Sequence, residues 1–200
     1  MGHVPVVLAS SSPRRREILY GLGLVFRVEH ADVDESVLPG ESARQTVVRL
    51  AAGKAAKVVA LNRDCVVIGA DTLVTLDGQV LGKPDDAPHA VEMLSLLGGR
   101  THEVITGVAF VKADEGLEDV RCCVSTVTFR KLSREMIGSY VAGGEPIGKA
   151  GAYAIQGAGN MLIEGYSGSY TNIVGLPVTE LLRFIVKFGA DRLEWRVDAF

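Results

Sequence analysis

Three arginines follow a run of serines near the start of the chain, in Leu-Ala-Ser-Ser-Ser-Pro-Arg-Arg-Arg at residues 8–16. A helix start carries partial positive charge, so cations there are mildly unfavourable and acids are preferred. Serine hydroxyls, helix N–H groups and the guanidinium groups of Arg14, Arg15 and Arg16 gathered at one point suit a multiply charged anion such as phosphate. The competing reading is a helix capped by Ser12, opened by Pro13 and decorated with three solvated arginines. This stretch alone leaves both readings open.

Two further charged residues fall where apolar ones are expected. A helix is predicted over Glu41–Asn62, with Val47, Leu50, Ala51, Val58 and Leu61 on one face. Lys54 lies inside that stripe, so it either snorkels at the edge of the face or points into a cleft. Asp71 interrupts Cys65–Leu76, a run otherwise suited to a strand buried on both sides. A buried carboxylate needs a partner, a metal or an open cleft, and Thr72 and Lys83 supply polar groups nearby in sequence. Lys83, in Gly82-Lys83-Pro84, also reads as a simple turn lysine. Asp32, Asp34 and Glu35 form an acidic loop that is either solvated or able to hold a hard divalent cation on a phosphate.

These residues need a scaffold, and the pattern supplies one. Strands are predicted over Val4–Ala9, Leu24–Glu29, Cys65–Leu76, Thr101–Lys112 and Val120–Arg130, with a short one near Met161–Glu164. Helices are predicted over 13–22, Glu41–Asn62, Pro88–Leu97, Ser133–Val141 and Pro177–Phe188. Asp77-Gly78 is a hairpin signal. Alternating strands and helices with one or two hairpins indicate an α/β fold with a mixed sheet. With no linker or repeat, residues 1–200 read as a single domain. On the last helix, Leu181, Leu182, Ile185 and Phe188 read as core in preference to interface.

Composition excludes several classes. The net charge of −3, with no basic run beyond the arginine triplet, argues against a nucleic-acid polymer as the main ligand. No apolar window is long enough to span a membrane, and the N-terminus lacks a signal-peptide pattern. Cys65, Cys122 and Cys123 make a poor disulfide framework, which suits reduced thiols in the cytoplasm. Gly143–Ala150 nearly fits a P-loop, but Ala150 replaces the Mg²⁺-binding hydroxyl and a helix, not a strand, is predicted before it. The segment Gly165-Tyr-Ser-Gly-Ser169 ends in Ser where a nucleophile elbow needs Gly.

Taken together, seven segments resemble the Maf family of nucleoside triphosphate pyrophosphatases. They are LASSSPRRREIL at 8–19, DVDES at 32–36, LAAGKA at 50–55, IGADTLV at 68–74, GKP at 82–84, GRTHEVITGVA at 99–109 and KAGAYAIQGAGNMLIEGYSGSYTNIVGLPVTEL at 149–181. They run in family order and span nearly the whole chain, from residue 8 to residue 181. The resemblance implies an elongated mixed sheet flanked by helices, in two lobes with a deep cleft, of the inosine-triphosphatase-like kind. It implies hydrolysis of a nucleoside triphosphate to the monophosphate and pyrophosphate with a divalent metal, Mg²⁺ or Mn²⁺, and it suggests a homodimer.

Position by position, Asp71 matches the family's catalytic general base, and Glu35, Lys54 and Lys83 match its other cleft residues. Arg14 and Arg15, with Ser10, fall on the phosphate-binding segment, and Arg16 has no implied role. Arg14, Thr72 and Gln156 follow the branch selective for dTTP and UTP; the branch for 7-methyl-GTP tends to carry Trp, Gln and Glu there. Glu35 and Asp71 are the expected metal ligands. Whether Asp71 or a metal-bound hydroxide generates the nucleophile stays open at this level. The remaining alternatives are a pyrophosphatase for modified pyrimidine nucleotides, a 7-methyl-GTP pyrophosphatase, and a nucleotide-binding regulator of cell division or septum formation with little turnover.

Overall fold

The computed structural model describes residues 2–196. Seven strands form one mixed sheet, as the alternation of elements predicts. They are β1 (Val6–Ala9), β2 (Arg27–Val28), β3 (Val66–Leu76), β4 (Gln79–Leu81), β5 (Thr101–Lys112), β6 (Leu117–Phe129) and β7 (Ile163–Ser167). The sheet order is β2-β1-β3-β5-β6-β7, with β4 paired to β3. β1 runs parallel to both β2 and β3, whereas β3–β4 and β6–β7 are antiparallel. The helices are α1 (Pro13–Gly21), α2 (Ala43–Val59), α3 (Ala87–Leu97), α4 (Arg134–Ala142), α5 (Tyr170–Val174) and α6 (Val178–Phe188). None of the described helices is long and apolar enough to cross a membrane.

The chain divides into two compact units. The first holds the chain up to Asp71, Thr106–Cys123 and the chain from Gly175 onward; the second holds Thr72–Ile105 and Val124–Val174. In the first unit the strands bury both faces. Val6, Leu8, Val66, Ile68 and Ala70 pack with Leu19 of α1 and with Leu181, Phe184, Ile185 and Phe188 of α6. Val7, Ala9, Cys65 and Val67 pack on the opposite face with Ala51, Ala55, Val58 and Val59 of α2. A strand alternates its side chains, so continuous apolar runs are what a strand covered on both faces requires. The ring of Phe184 stacks on Phe110 at 4.5 Å and fixes α6 to the sheet.

In the second unit, α3 buries Ala90, Met93, Leu94 and Leu97, and α4 buries Ile137 and Tyr140. Asp77 and Gly78 both take positive φ, 51° and 82°, which is the turn chemistry expected of this hairpin. His102, Phe129 and Tyr153 pack edge to face. The short helix α5 lies within 143–175, where the sequence pattern predicts only a strand; Ser169 Oγ accepts the N–H of Asn172 in its first turn.

Several expectations need correction. The strand at 24–29 shrinks to Arg27–Val28. The helix expected over Glu41–Asn62 is Ala43–Val59, so Leu61 falls past its end and is 85% exposed, outside the buried stripe. Ser12 occupies the N-cap position of α1 without a side-chain capping bond. On α6, Leu181, Ile185 and Phe188 are core as expected, but Leu182 is exposed.

Candidate active site

β1 ends at Ala9, opposite Gly69 of β3. β3 runs on, so Ala70 and Asp71 lie just past the carboxyl end of β1, the end at which parallel sheets present ligand sites. Residues 65, 67, 69 and 71 share the face of β3 that meets α2. At Gly69 a Cβ would stand 2.3 Å from Ala51 O and 2.8 Å from Ala55 N of α2. At Gly107 of β5 a Cβ would stand 2.2 Å from Val47 O. Two missing side chains thus let the helix backbone settle directly on the sheet. Lys54, one turn beyond Ala51, is delivered to Asp71.

Lys54 is only 6% exposed and Asp71 8%. Lys54 Nζ donates to Asp71 Oδ1 at 2.6 Å and to Glu35 Oε1 at 2.6 Å. The snorkelling alternative is therefore overturned: the ammonium is buried between two carboxylates. Glu35 is the exposed member, with its side chain 47% accessible. The loop that carries Glu35 is tied to α2 by Arg49. Its Nε donates to Glu41 Oε1 at 2.6 Å, and its Nη2 to Ser36 O and Glu41 Oε2 at 2.8 Å each. The Arg49 guanidinium holds the Glu41 carboxyl down to about 2. The other acids of the loop face elsewhere. Asp34 Oδ1 accepts the N–H and hydroxyl of Ser36, and the backbone of Asp32 accepts from Lys57.

The arginine triplet separates by burial. Arg16 is exposed and Arg14 half-buried, whereas Arg15 is buried. Arg15 Nη1 donates to Ser10 Oγ and to Ala70 O, both at 2.9 Å, and Nε donates to Gly175 O at 2.8 Å. Burial lowers the Arg15 pKa from its ordinary value, and the nearby Asp71 charge opposes the shift. Ser10 Oγ also accepts the N–H of Ser12 at 3.3 Å. Arg15 thus ties the start of α1 to the carbonyl immediately before Asp71.

Ser10, Arg15, Glu35, Lys54 and Asp71 come together within the first unit. Thr72, Lys83 and Gln156 belong to the second unit. Lys83 is exposed in the turn after β4, where Gly82 O accepts the N–H of Gly151 at 2.9 Å. Gln156 is half-buried on extended backbone ahead of a 3-10 turn, Gly157–Leu162. α4 precedes Gly143–Ala150, which upholds the rejection of a P-loop there.

Asp71 and Glu35 are the hard oxygen donors of the cluster. No group of three or more His, Cys, Asp and Glu able to hold a metal gathers among the described residues. Two carboxylates fit a cation that takes its other ligands from phosphate and water, as Mg²⁺ does. Sequence reasoning missed Gly69, Gly107 and the Arg49–Glu41 pair. A lone glycine inside a strand pattern is the available signal for the first two, because it marks close backbone approach. For Arg49 no comparable signal exists, because Glu41 lies ahead of α2 and the two meet only once the loop folds back.

A family profile described as "Maf-like protein" matches residues 5–188. The chain is 50% identical over 186 residues to the dTTP/UTP pyrophosphatase of Moorella thermoacetica, covering 93% of this chain and 96% of that one. It is 50% identical over 187 residues to the dTTP/UTP pyrophosphatase of Salmonella typhimurium, covering 92% and 93%. For the protein of the same name in Pelotomaculum thermopropionicum the figures are 49% over 188 residues, covering 94% and 98%.

Proposed function

The chain belongs to the Maf family, and from that premise we propose that it is an enzyme hydrolysing dTTP and UTP to the nucleoside monophosphate and pyrophosphate. The observation that carries the chemistry is the buried Lys54 held between Asp71 and Glu35 at 2.6 Å each. A Lys–Asp pair buried in this way is expensive, and replacing such a pair with apolar residues is often stabilising. Its presence at the carboxyl end of β1 is explained by a reaction that uses it.

In this reading Asp71 is the general base. Its contact with Lys54 runs through Oδ1, which leaves Oδ2 to accept a proton from water. The water oxygen attacks the α-phosphorus, the bond to the α–β bridging oxygen breaks, and pyrophosphate carries away the electron pair. Lys54 fixes the orientation of the carboxylate and offsets charge on the phosphate chain; Arg14 and Lys83 offset more of it. Ser10 and Arg15 fix the loop and carbonyl on either side of the base, and they complete the phosphate-binding segment. Glu35 and Asp71 would hold a divalent cation, Mg²⁺ or Mn²⁺, which supplies charge neutralisation to the phosphates when bound. Thr72 and Gln156 select the pyrimidine, Gln156 offering both a donor and an acceptor to its edge.

The test is pyrophosphate release from a panel of nucleoside triphosphates with Mg²⁺ or Mn²⁺. Turnover highest on dTTP and UTP, and abolished by EDTA, supports the reading. Preference for 7-methyl-GTP contradicts the pyrimidine assignment, and tight binding without release contradicts the enzyme. The reading includes a cytoplasmic location, supported by a cysteine pattern suited to reduced thiols. It also includes a homodimer; a single sedimenting species at the 21.3 kDa of one chain would remove that element.

A further inference from the structure

Gln156 makes no hydrogen bond through its side chain among the described residues, yet the backbone on both sides of it is gripped. Ahead of it, Ala154 N–H donates to Tyr140 Oη at 3.3 Å, and Ile155 O accepts from Asn160 Nδ2 at 3.3 Å. Tyr153 Oη, one residue earlier, lies 2.7 Å from His102 Nε2. Behind it, Glu145 reaches across from the turn after α4. Glu145 Oε2 accepts the N–H of Ala158 at 3.0 Å, and Oε1 that of Gly159 at 3.4 Å.

The carboxylate also fills the space beside Gly157. That residue has φ +79°, and a Cβ built there would stand 3.2 Å and 3.3 Å from the two carboxylate oxygens. Glycine suits 157 by its backbone conformation, and a Cβ there would push the carboxylate back by a few tenths of an ångström. Three consecutive residues following Gln156 meet one carboxylate. Glu145 is itself held by its neighbours: Pro146 is buried, and the Glu145 carbonyl accepts from Lys149 Nζ at 2.5 Å.

We propose that Glu145 is a positioning residue for base selection, fixing through the backbone of residues 157–159 the direction in which Gln156 presents its amide. This rests on the reading above that Gln156 meets the base. A side chain that discriminates by hydrogen bonding needs a rigid mount, because a displacement of about 1 Å is enough to lose the contact. Glu145 supplies that mount with two charge-assisted bonds, stronger than neutral ones. Its carboxylate is spent on the backbone N–H groups of Ala158 and Gly159, so its removal acts on selectivity and on binding more than on the chemical step.

The experiment measures kcat and KM on dTTP and dCTP for the wild type, Glu145→Ala, Glu145→Gln and Gln156→Ala, with thermal melts of each. Glu145→Ala is expected to lower the dTTP-over-dCTP ratio of kcat/KM about tenfold, chiefly through KM for dTTP, with kcat on dTTP changed by no more than about threefold. Glu145→Gln keeps one acceptor oxygen and is expected to hold the ratio within about threefold of wild type. If Glu145→Ala folds poorly, Glu145→Gln carries the test: a drop of about two- to threefold in the ratio with kcat on dTTP unchanged supports the role, and an unchanged ratio overturns it. A Gln156→Ala variant that loses selectivity beside a folded Glu145→Ala variant that keeps it overturns the positioning role alone. So does an equal loss of kcat/KM on both nucleotides in the Glu145 variants. A Gln156→Ala variant with wild-type selectivity overturns the base-reading role beneath it.

Discussion

The two units hold their functional residues in opposite ways. In the first, charged side chains are bonded to one another: Lys54 to Asp71 and Glu35, with Arg15 bracing the carbonyl before the base. In the second, side chains are bonded to backbone. Glu145, Tyr140 and Asn160 grip the chain around Gln156, whose amide they leave uncommitted. The contrast follows from what each must do. A group that moves protons or offsets phosphate charge needs its electrostatics fixed before substrate arrives. A group that reads a base needs its position fixed and its hydrogen bonds unspent. Changes that leave a buried charge unpaired in the first unit should therefore strike turnover and stability together, and those that loosen the grip around Gln156 in the second should strike discrimination.

The largest effect is expected from Lys54→Met. It leaves Asp71 buried without its ammonium, a change that costs about 3–5 kcal/mol when one partner of a buried pair is removed. Stability, measured by chemical denaturation, and turnover should both fall. Combining it with Asp71→Leu should recover stability without recovering activity, and recovery of activity would detach the triad from catalysis. Asp71→Asn comes next. Its amide oxygen still accepts from Lys54, so folding should survive while kcat on dTTP falls at least about 100-fold, the loss typical of a removed general base.

The third prediction sharpens the comparison from the side of the second unit. Burial beside Phe129 and Tyr153 lowers the His102 pKa from its ordinary 6.5 to about 4. Below pH 6.5 the unfolded chain takes up a proton that the folded chain refuses, so stability falls as pH falls through this window and levels off near pH 4. The size is about 3 kcal/mol. Urea unfolding of wild type and His102→Gln at pH 7 and pH 4.5 checks it: the variant should lose less on acidification. A parallel fall in both removes His102 as the cause.

The smallest effect is expected from Arg49→Gln, which releases the loop bearing Glu35 from α2 without touching the buried pair. Partly exposed ion pairs contribute little to global stability. The melting temperature should hardly move, while proteolysis within residues 30–40 accelerates. Unchanged cleavage there would show that Arg49 does not order the loop.

Much of this was legible in the sequence, and the reasons are physical. Lys54 and Asp71 stood out because a charge in an apolar pattern must be satisfied, and the structure satisfies each with the other. Strands β3 and β5 were readable because burial on both faces leaves continuous apolar runs. The ends of α2 were less readable, since Leu61 fits the helical period but falls beyond the last turn. Arg15 and Arg16 look identical by residue type, and only the resemblance set them apart; the fold decides that one is buried against Ala70 and Gly175 and the other is exposed. Gly69 and Gly107 carried only the general signal of a glycine inside a strand, because a glycine's contribution is the atom it lacks, and which helix packs there is decided by the fold. Glu145 was silent because its partners are backbone N–H groups, which carry no residue type to match.

The most direct test of the account is product analysis with dTTP, metal and either wild type or Asp71→Asn. The account predicts one pyrophosphate released per dTMP formed by the wild type, with dTDP and inorganic phosphate absent. The Asp71→Asn protein should be folded but slowed at least about 100-fold. Release of inorganic phosphate with dTDP, or near-wild-type turnover by the folded Asp71→Asn variant, would contradict it.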